Sequence, residues 1–351
     1  MSPAAQARSD VRDLQPYDSP QLEVAVRLNT NECPEPLPES FFTELAEAVR
    51  TLPLHRYPDG AMTELRESLA AGHGHDPEGT WAANGSNEVL TQLLLAYGGP
   101  GRTSVVFEPT YLLHRRLSWL THTDVVSVAM DVPYALSARH IDAALDSRPD
   151  VIFVCSPNNP TGNAQPVDAV ATLASSTSAL VVVDEAYIEF GGESARTLVA
   201  DYPNVAVVRT FSKAFAMAGA RLGYVLTSRE VVRDLERVRL PYHVSMLTQT
   251  AGLVALRHQR EALAILDVIR AQRDRIVETL ARIEGVTVFP SDANFVLFVP
   301  PGPAGEIWQG LVDRGVLIRD LSAVVPNALR VTAGTPHETG RFLAALREVL
   351  S

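Results

Sequence analysis

Three continuous apolar runs dominate the middle of the chain, at residues 151–155, 180–183 and 205–208. Strands that are buried on both faces of a parallel sheet have this unbroken apolar composition. Helical patterns lie between the runs, as at residues 166–175, and shorter strands are predicted at 104–107 and 125–129. Alternating strands and helices predict an α/β fold with a mostly parallel, doubly wound sheet.

The flanking sequence follows other patterns. Residues 1–10 are polar and predict a flexible tail, and prolines without periodicity predict an extended N-terminal arm over residues 11–35. A helix is expected at 40–52, with Ser40 as its N-cap. After residue 245, amphipathic helices lead into short strands and helices of α+β type. We therefore predict a large domain of residues 36–244 and a smaller α+β domain of residues 245–351, with which the arm is grouped.

Composition argues against a nucleic-acid-binding protein, a disulfide-stabilised protein and a membrane protein. The chain has 351 residues and a formal net charge of −11, without a Lys/Arg cluster, so nucleic acid is not an expected partner. Two cysteines are too few for a disulfide scaffold and favour a reducing compartment. No apolar run reaches the roughly 20 residues of a membrane helix, and the N-terminus lacks an apolar signal segment. A cytoplasmic protein that does not contact membranes is expected.

Polar clusters follow the carboxyl ends of the predicted strands, which is the edge where open α/β sheets bind ligands. The cluster residues are Asn159, Asp184, Tyr187, Thr210, Ser212 and Lys213. Small residues at 85–87 precede another predicted helix, and helix N-termini of this kind favour anions such as phosphate. Each feature alone has an ordinary structural reading as a turn or a cap. Together they indicate one site.

Lys213 is the only lysine among the 30 basic residues of the chain. Arginine replaces lysine as a surface charge but cannot form a Schiff base, so the retained lysine suggests a reactive amine. Dinucleotide, P-loop and Gly-x-Ser-x-Gly patterns are absent from the sequence. His73 and His75 are interpreted as solvated loop residues rather than metal ligands. With these patterns excluded, the candidate groups are a lysine, an acid and small residues that could bind a phosphate. Pyridoxal 5′-phosphate requires these three kinds of group.

Three motifs carry a resemblance to a known family. They are Ser-Pro-Asn-Asn-Pro-Thr-Gly at 156–162, Asp-Glu-Ala-Tyr-Ile-Glu-Phe at 184–190 and Thr-Phe-Ser-Lys followed by Ala-Gly-Ala-Arg-Leu-Gly-Tyr within 210–224. The chain resembles the fold-type I, aspartate-aminotransferase-like enzymes. Further motifs, such as Arg-Tyr-Pro-Asp at 56–59, are similar to the histidinol-phosphate aminotransferase subfamily.

The resemblance implies roles for the cofactor residues. Lys213 would hold pyridoxal phosphate and move a proton during transamination, and Asp184 would keep the pyridine nitrogen protonated. Tyr187 and Asn159 would hydrogen-bond the cofactor's 3′-oxygen, and Tyr111 would stack on its ring. The residues that would cradle its phosphate are Gly85, Ser86, Asn87, Thr210, Ser212 and Arg221.

The resemblance also implies a homodimer with shared active sites, in which Tyr57 reaches the phosphate bound by the partner subunit. The small-molecule substrates are an amino donor and an acceptor. Arg330 would bind the substrate carboxylate, and Tyr17, Tyr242 and Arg319 would contact the distal end of the substrate. The expected reaction converts imidazole-acetol phosphate and L-glutamate to L-histidinol phosphate and 2-oxoglutarate.

The sequence departs from the family pattern at Cys33 and Glu35 in the arm and at Leu112-Leu113-His114-Arg115 after Tyr111. Bulk in the helix after Tyr111 could reshape the substrate pocket. An aminotransferase for aromatic or specialised amino acids and a phospho-amino-acid decarboxylase on the same fold therefore stay open as alternatives. A catalytically silent ligand-binding protein is a further alternative, and its expected signature is loss of the lysine or the acid.

Overall fold

A computed structural model of the protein describes residues 5–12, 14, 16 and 20–351. Its strands are β1 (Val26–Arg27), β2 (Thr80–Ala83), β3 (Thr103–Glu108), β4 (Asp124–Ala129), β5 (Val151–Cys155), β6 (Leu180–Asp184), β7 (Val205–Thr210), β8 (Gly223–Leu226), β9 (Thr287–Val288), β10 (Phe295–Val299), β11 (Val316–Leu317), β12 (Arg319–Asp320) and β13 (Leu329–Thr332).

The α-helices alternate with these strands in the first two thirds of the chain. They are α1 (Ser9–Arg12), α2 (Glu39–Arg50), α3 (Thr63–His73), α4 (Ser86–Tyr97), α5 (Leu112–Leu120), α6 (Ala138–Asp146), α7 (Val167–Ser176), α8 (Arg229–Val238), α9 (Met246–Arg257), α10 (Gln259–Ala262), α11 (Leu266–Leu280), α12 (Ala304–Asp313) and α13 (Pro336–Leu350).

Seven strands form the large sheet, in the order β2-β8-β7-β6-β5-β3-β4. Neighbours from β7 to β4 pair in parallel, whereas β8 pairs antiparallel with both β7 and β2. The predicted mostly parallel α/β fold is confirmed. The short strand β8 is a finding that the sequence pattern did not predict, and it returns the chain to the sheet directly after the Lys213 loop.

Both faces of this sheet are covered. In β5, Val151 and Phe153 pack into one hydrophobic cluster together with α4, while Ile152 and Val154 pack into a second cluster together with α6 and α7. Successive strand residues point to opposite faces, so an unbroken apolar run is stable only where helices lie on both sides. This explains why the three apolar runs become central strands.

A second sheet has four antiparallel strands in the order β12-β13-β10-β9, and β1 of the arm pairs in parallel with β11. The arm therefore contains a strand rather than only extended chain. One predicted cap was wrong: α2 begins at Glu39 after Pro38, and the Ser40 hydroxyl instead donates to Glu261 at 2.8 Å. Across the described ranges, no helix combines the length and apolarity needed to span a membrane.

Candidate active site

A cavity of about 320 Å³ opens at the carboxyl edge of the large sheet. The cavity lies here because β5, β6 and β7 are parallel neighbours, so their carboxyl ends lie side by side at this edge. Most of the predicted residues line the cavity: Ser86, Asn87, Tyr111, Asn159, Asp184, Tyr187, Thr210, Ser212, Lys213, Arg221, Arg319 and Arg330. Arm residues 29–31 also line it and were not predicted as site residues.

Lys213 lies just after β7, and its Nζ donates a hydrogen bond to the Thr30 carbonyl at 3.0 Å. Burial, together with the nearby Arg330 and Arg221 cations, lowers the pKa of the Lys213 amine to about 8. Both causes disfavour the charged form of the amine. A larger fraction of the Lys213 amine is therefore uncharged near neutral pH, and the uncharged amine can act as a nucleophile or as a base.

Asp184 ends β6 and is only 2% exposed. One carboxylate oxygen, Oδ1, accepts a hydrogen bond from the Ala186 backbone N–H at 3.2 Å. The other, Oδ2, accepts one from His114 Nε2 at 3.0 Å. The contacts hold a buried carboxylate in one orientation at the cavity wall.

His114 is a site residue that the sequence reasoning missed. Its fully buried ring stacks on Phe153, with 4.8 Å between the ring centroids, and meets the edge of Tyr111. Residues three apart lie on the same side of a helical turn, so the spacing from Tyr111 was an available signal. Its contact with Asp184, 70 residues away, was not visible in the sequence.

The residues predicted to cradle a phosphate surround the N-terminus of α4. Gly85 precedes the helix with φ +82°, and the Tyr111 hydroxyl donates to Asn87 Oδ1 at 3.4 Å. Arg221 Nη1 donates to the Ser212 hydroxyl at 3.2 Å. The unpaired N–H groups of a first helical turn, a guanidinium and hydroxyls together form a favourable environment for an anion.

Arg330 also lines the cavity. Its Nη1 donates to Asn159 Oδ1 at 2.5 Å and its Nη2 to the Asn29 carbonyl at 2.9 Å. The guanidinium lies 5.1 Å from the centroid of the Phe295 ring, a cation–π contact. Arg319 is the register partner of Arg330 in the β12–β13 pair, so two guanidinium groups line the cavity. Such a pair can bind a carboxylate or a phosphate.

Comparison with known proteins identifies the family. Residues 23–346 match the family model described as aminotransferase class I and II. A histidinol-phosphate aminotransferase of Thermobifida fusca (strain YX) is 47% identical, covering 97% of this chain and 94% of that protein. One of Streptomyces avermitilis is also 47% identical, covering 97% and 96%.

The chain belongs to the class I and II aminotransferases, within the histidinol-phosphate aminotransferase group. A solved histidinol-phosphate aminotransferase of Sinorhizobium meliloti, crystallised in complex with pyridoxal-5′-phosphate, shares the fold. Its TM-score is 0.87 at 24% identity, with 99% of this chain and 98% of that chain covered.

Two predicted residues of the aminotransferase lie away from the cavity. The rings of Tyr57 and Tyr242 stack on each other with centroids 4.6 Å apart, and both side chains are exposed. They line a separate surface depression together with Leu54 and Leu247. Tyr17, which was also predicted to contact the substrate, lies outside the described residues.

Among the departures from the family pattern, Leu112, Leu113 and Cys33 do not line the main cavity, whereas His114 contacts Asp184 at the cavity wall. Leu112 is exposed and lines a neighbouring depression beside Tyr111 and Val324, whereas Leu113 packs on the hydrophobic core. Cys33 lines another cavity between the arm and β13. Leu112 and Leu113 of this aminotransferase thus do not line the cavity around Lys213.

The interpretation of His73 and His75 as solvated loop residues was wrong. His73 ends α3 and its Nε2 lies 2.7 Å from the Tyr224 hydroxyl, and burial lowers its pKa to about 4. His75 Nε2 lies 3.0 Å from the Thr227 carbonyl. Both are packing residues beside β8. Over the described part of the chain, no cluster of His, Cys, Asp and Glu is arranged to hold a metal ion.

Proposed function

We propose that the protein transfers the amino group of L-glutamate to imidazole-acetol phosphate, forming L-histidinol phosphate and 2-oxoglutarate in histidine biosynthesis. The main support is that Lys213 and Asp184, which follow neighbouring strand ends, line one cavity. The predicted phosphate-binding residues at the N-terminus of α4 line the same cavity. The name shared by relatives near 45% identity supports this choice of substrate. Pyridoxal 5′-phosphate is the cofactor.

The residues present fit the cofactor's phosphate. A Cβ on Gly85 would stand 2.6 Å from Arg221 Nη2, and a Cβ on Gly223 would collide with the Ser86 backbone nitrogen. Glycine at these two positions therefore keeps backbone and guanidinium close together at the helix N-terminus. Ser86, Asn87, Thr210, Ser212 and Arg221 would hold a phosphate there by charge-assisted hydrogen bonds.

When bound, pyridoxal phosphate supplies an electron sink for the negative charge that develops at the substrate Cα. Asp184 would hold a proton on the pyridine nitrogen through its buried, doubly hydrogen-bonded carboxylate. A fixed negative charge in a water-poor site stabilises a cation far more than it would in water. His114 keeps this carboxylate from turning away from the cavity.

Lys213 would hold the cofactor through Nζ, and after release would take the proton from the substrate Cα and return it on the cofactor side. A lysine amine with a pKa of about 8 is deprotonated often enough at neutral pH for this role. Burial raises the pKa of Tyr187 to about 12, so its phenol keeps its proton and can donate to the cofactor's 3′-oxygen. Asn159 would assist there, and Tyr111 would cover the ring face.

The two arginines explain how one cavity accepts two substrates. Arg330 would bind the α-carboxylate of glutamate through its planar fork, and Arg319 adds a second cation beside it. Histidinol phosphate has no carboxylate, but its phosphate carries the same kind of charge. Tyr17 would contact the distal end of the substrate, and Tyr242, which stacks on Tyr57 outside this cavity, would do so in the site of a second copy.

A homodimer is part of the proposal. Tyr57 is 78% exposed, and together with Leu54, Tyr242 and Leu247 it forms the apolar lining of the surface depression described above. Large apolar groups clustered on a surface favour a protein partner. We propose that a second copy covers this surface and that Tyr57 reaches the phosphate site of that copy.

Steady-state kinetics test the substrate. We expect L-histidinol phosphate with 2-oxoglutarate to give a kcat/KM well above that of aromatic amino acids, and no release of carbon dioxide from phosphorylated amino acids. Lys213→Ala serves as the inactive control. An enzyme that transaminates aromatic amino acids but not histidinol phosphate would contradict the proposed substrate, and carbon dioxide release would favour the decarboxylase.

A further inference from the structure

Three consecutive arm residues each contact a different functional side chain. The Asn29 carbonyl accepts from Arg330, the Thr30 carbonyl accepts from Lys213, and the Asn31 side chain contacts Tyr187. The first two contacts use the backbone, so any residue could make them. The third depends on the asparagine itself.

Asn31 is buried and makes four hydrogen bonds. Its Nδ2 donates to the Tyr187 hydroxyl oxygen at 3.0 Å. Its backbone N–H donates to the Thr332 hydroxyl at 3.1 Å, that hydroxyl donates to Asn31 Oδ1 at 3.1 Å, and Asn294 Nδ2 donates to the Asn31 carbonyl at 3.1 Å. The backbone of Asn31 is left-handed, with φ +57°, a conformation that asparagine adopts more readily than most residues.

Thr332 determines which way the Asn31 amide faces. The backbone N–H of Asn31 can only donate, so the Thr332 hydroxyl oxygen must accept from it. The hydroxyl proton of Thr332 is then donated to Asn31 Oδ1. The amide oxygen is thereby engaged with Thr332. The NH₂ group is left to face Tyr187.

A tyrosine hydroxyl has one proton and can also accept. Because Asn31 donates to the oxygen of Tyr187, it cannot receive that proton through the same contact. We propose that Asn31 is a positioning residue that directs the Tyr187 hydroxyl proton into the cavity, toward the ring oxygen of the bound cofactor. This inference rests on the proposed function, because it needs a cofactor whose ring oxygen lies next to Tyr187.

The orientation has a spectroscopic consequence. A hydrogen bond donated by Tyr187 stabilises negative charge on the cofactor's ring oxygen and so lowers the proton affinity of the bound chromophore. If the proton of Tyr187 turns elsewhere, the pH midpoint of the visible absorbance band should rise. Loss of one hydrogen bond to a charged oxygen corresponds to about one pH unit.

Two substitutions keep the left-handed backbone of residue 31. Asn31→Gly removes the amide, and Asn31→Asp replaces the donor by an acceptor that can attract the Tyr187 proton. Asn29→Ala is the matched control, because the Asn29 side chain donates to the Pro20 carbonyl at 2.9 Å and not to Tyr187. Each holoenzyme is titrated by visible absorbance, and thermal melting checks that it is folded.

We expect the midpoint to rise by about one pH unit in Asn31→Gly, to rise at least as far in Asn31→Asp, and to stay at the wild-type value in Asn29→Ala. Adding Asn31→Gly to Tyr187→Phe should give no further shift, because both act through one proton. A folded Asn31→Gly enzyme with the wild-type midpoint, or a full additional shift in the double variant, would overturn the inference. Failure of the proposed function gives different results: without cofactor binding the wild type would show no visible band, and with another substrate the band and its midpoint would remain while histidinol phosphate was not turned over.

Discussion

His114 Nε2 lies 3.0 Å from Asp184 Oδ2, and both side chains are almost fully buried. An ionised carboxylate can only accept a hydrogen bond, so Nε2 is the donor in this contact. Within the described residues, the other ring nitrogen, Nδ1, has no hydrogen-bond partner. His114 therefore holds the Asp184 carboxylate in one orientation.

Replacing His114 tests this contact. We expect His114→Leu to weaken pyridoxal phosphate binding by roughly 10- to 100-fold, because a buried carboxylate loses a hydrogen bond worth about 1.5–3 kcal/mol. His114→Gln retains a donor and should lose less. The measurement is the equilibrium dissociation constant of the cofactor. His140→Leu removes a buried histidine of α6 far from the cavity and should leave that constant unchanged. Equal affinities in the two leucine variants would contradict the proposed role of His114.

The pKa of Lys213 can be measured directly because the chain has no other lysine. Reductive methylation with ¹³C-formaldehyde labels only this side chain and the N-terminal amine. In the cofactor-free protein we expect the Lys213 NMR signal to titrate near pH 8, against about 10.4 for an ordinary lysine. Arg330→Met should raise the midpoint by removing a neighbouring cation.

The sign of this shift also fixes a dependence of stability on pH. The folded protein binds fewer protons at Lys213 than the unfolded chain does between about pH 8 and 10.4, so the free energy of unfolding should rise with pH in that window. Lys213→Met lacks this contribution and serves as the reference in thermal unfolding. A Lys213 midpoint of 10 or above in the folded protein would disprove the assigned environment.

Gly85→Ala should damage the phosphate cradle. Its Cβ would stand 2.6 Å from Arg221 Nη2, and the φ of +82° is strained for alanine. We expect cofactor affinity to fall at least 10-fold, measured by equilibrium dialysis. Gly72→Ala is the control and should bind the cofactor normally, because a Cβ added at this position of α3 would meet no atom within 4 Å. A Gly85→Ala protein with normal affinity would argue against this cradle.

Tyr57 offers a test of shared active sites. Coexpressed Tyr57→Ala and Lys213→Ala chains form mixed dimers if the protein is a homodimer. If Tyr57 acts in the partner's site, one site of each mixed dimer combines an intact Tyr57 with an intact Lys213. Activity should then exceed that of either variant alone. Isolated mixed dimers with no more activity than the Tyr57→Ala homodimer would show that Tyr57 acts within its own chain.

The sequence determined the central sheet and the position of the cavity. Unbroken apolar runs at 151–155, 180–183 and 205–208 predict the strands that the structure has at Val151–Cys155, Leu180–Asp184 and Val205–Thr210, since only strands covered on both faces bury every residue. Parallel strands end at one edge of a sheet. The common sheet edge on which Asp184 and Lys213 lie is therefore predictable from the periodicity of the strands.

Tertiary structure alone decided how these groups are oriented. His114 reaches Asp184 across 70 residues, and Asn31 reaches Tyr187 across 156. Neither pairing leaves a local pattern, because a hydrogen bond between distant segments requires no particular periodicity or composition. The sequence specified the chemical groups of the site. Packing of the arm, α5 and β13 around the strand ends fixed the directions in which those groups donate and accept protons.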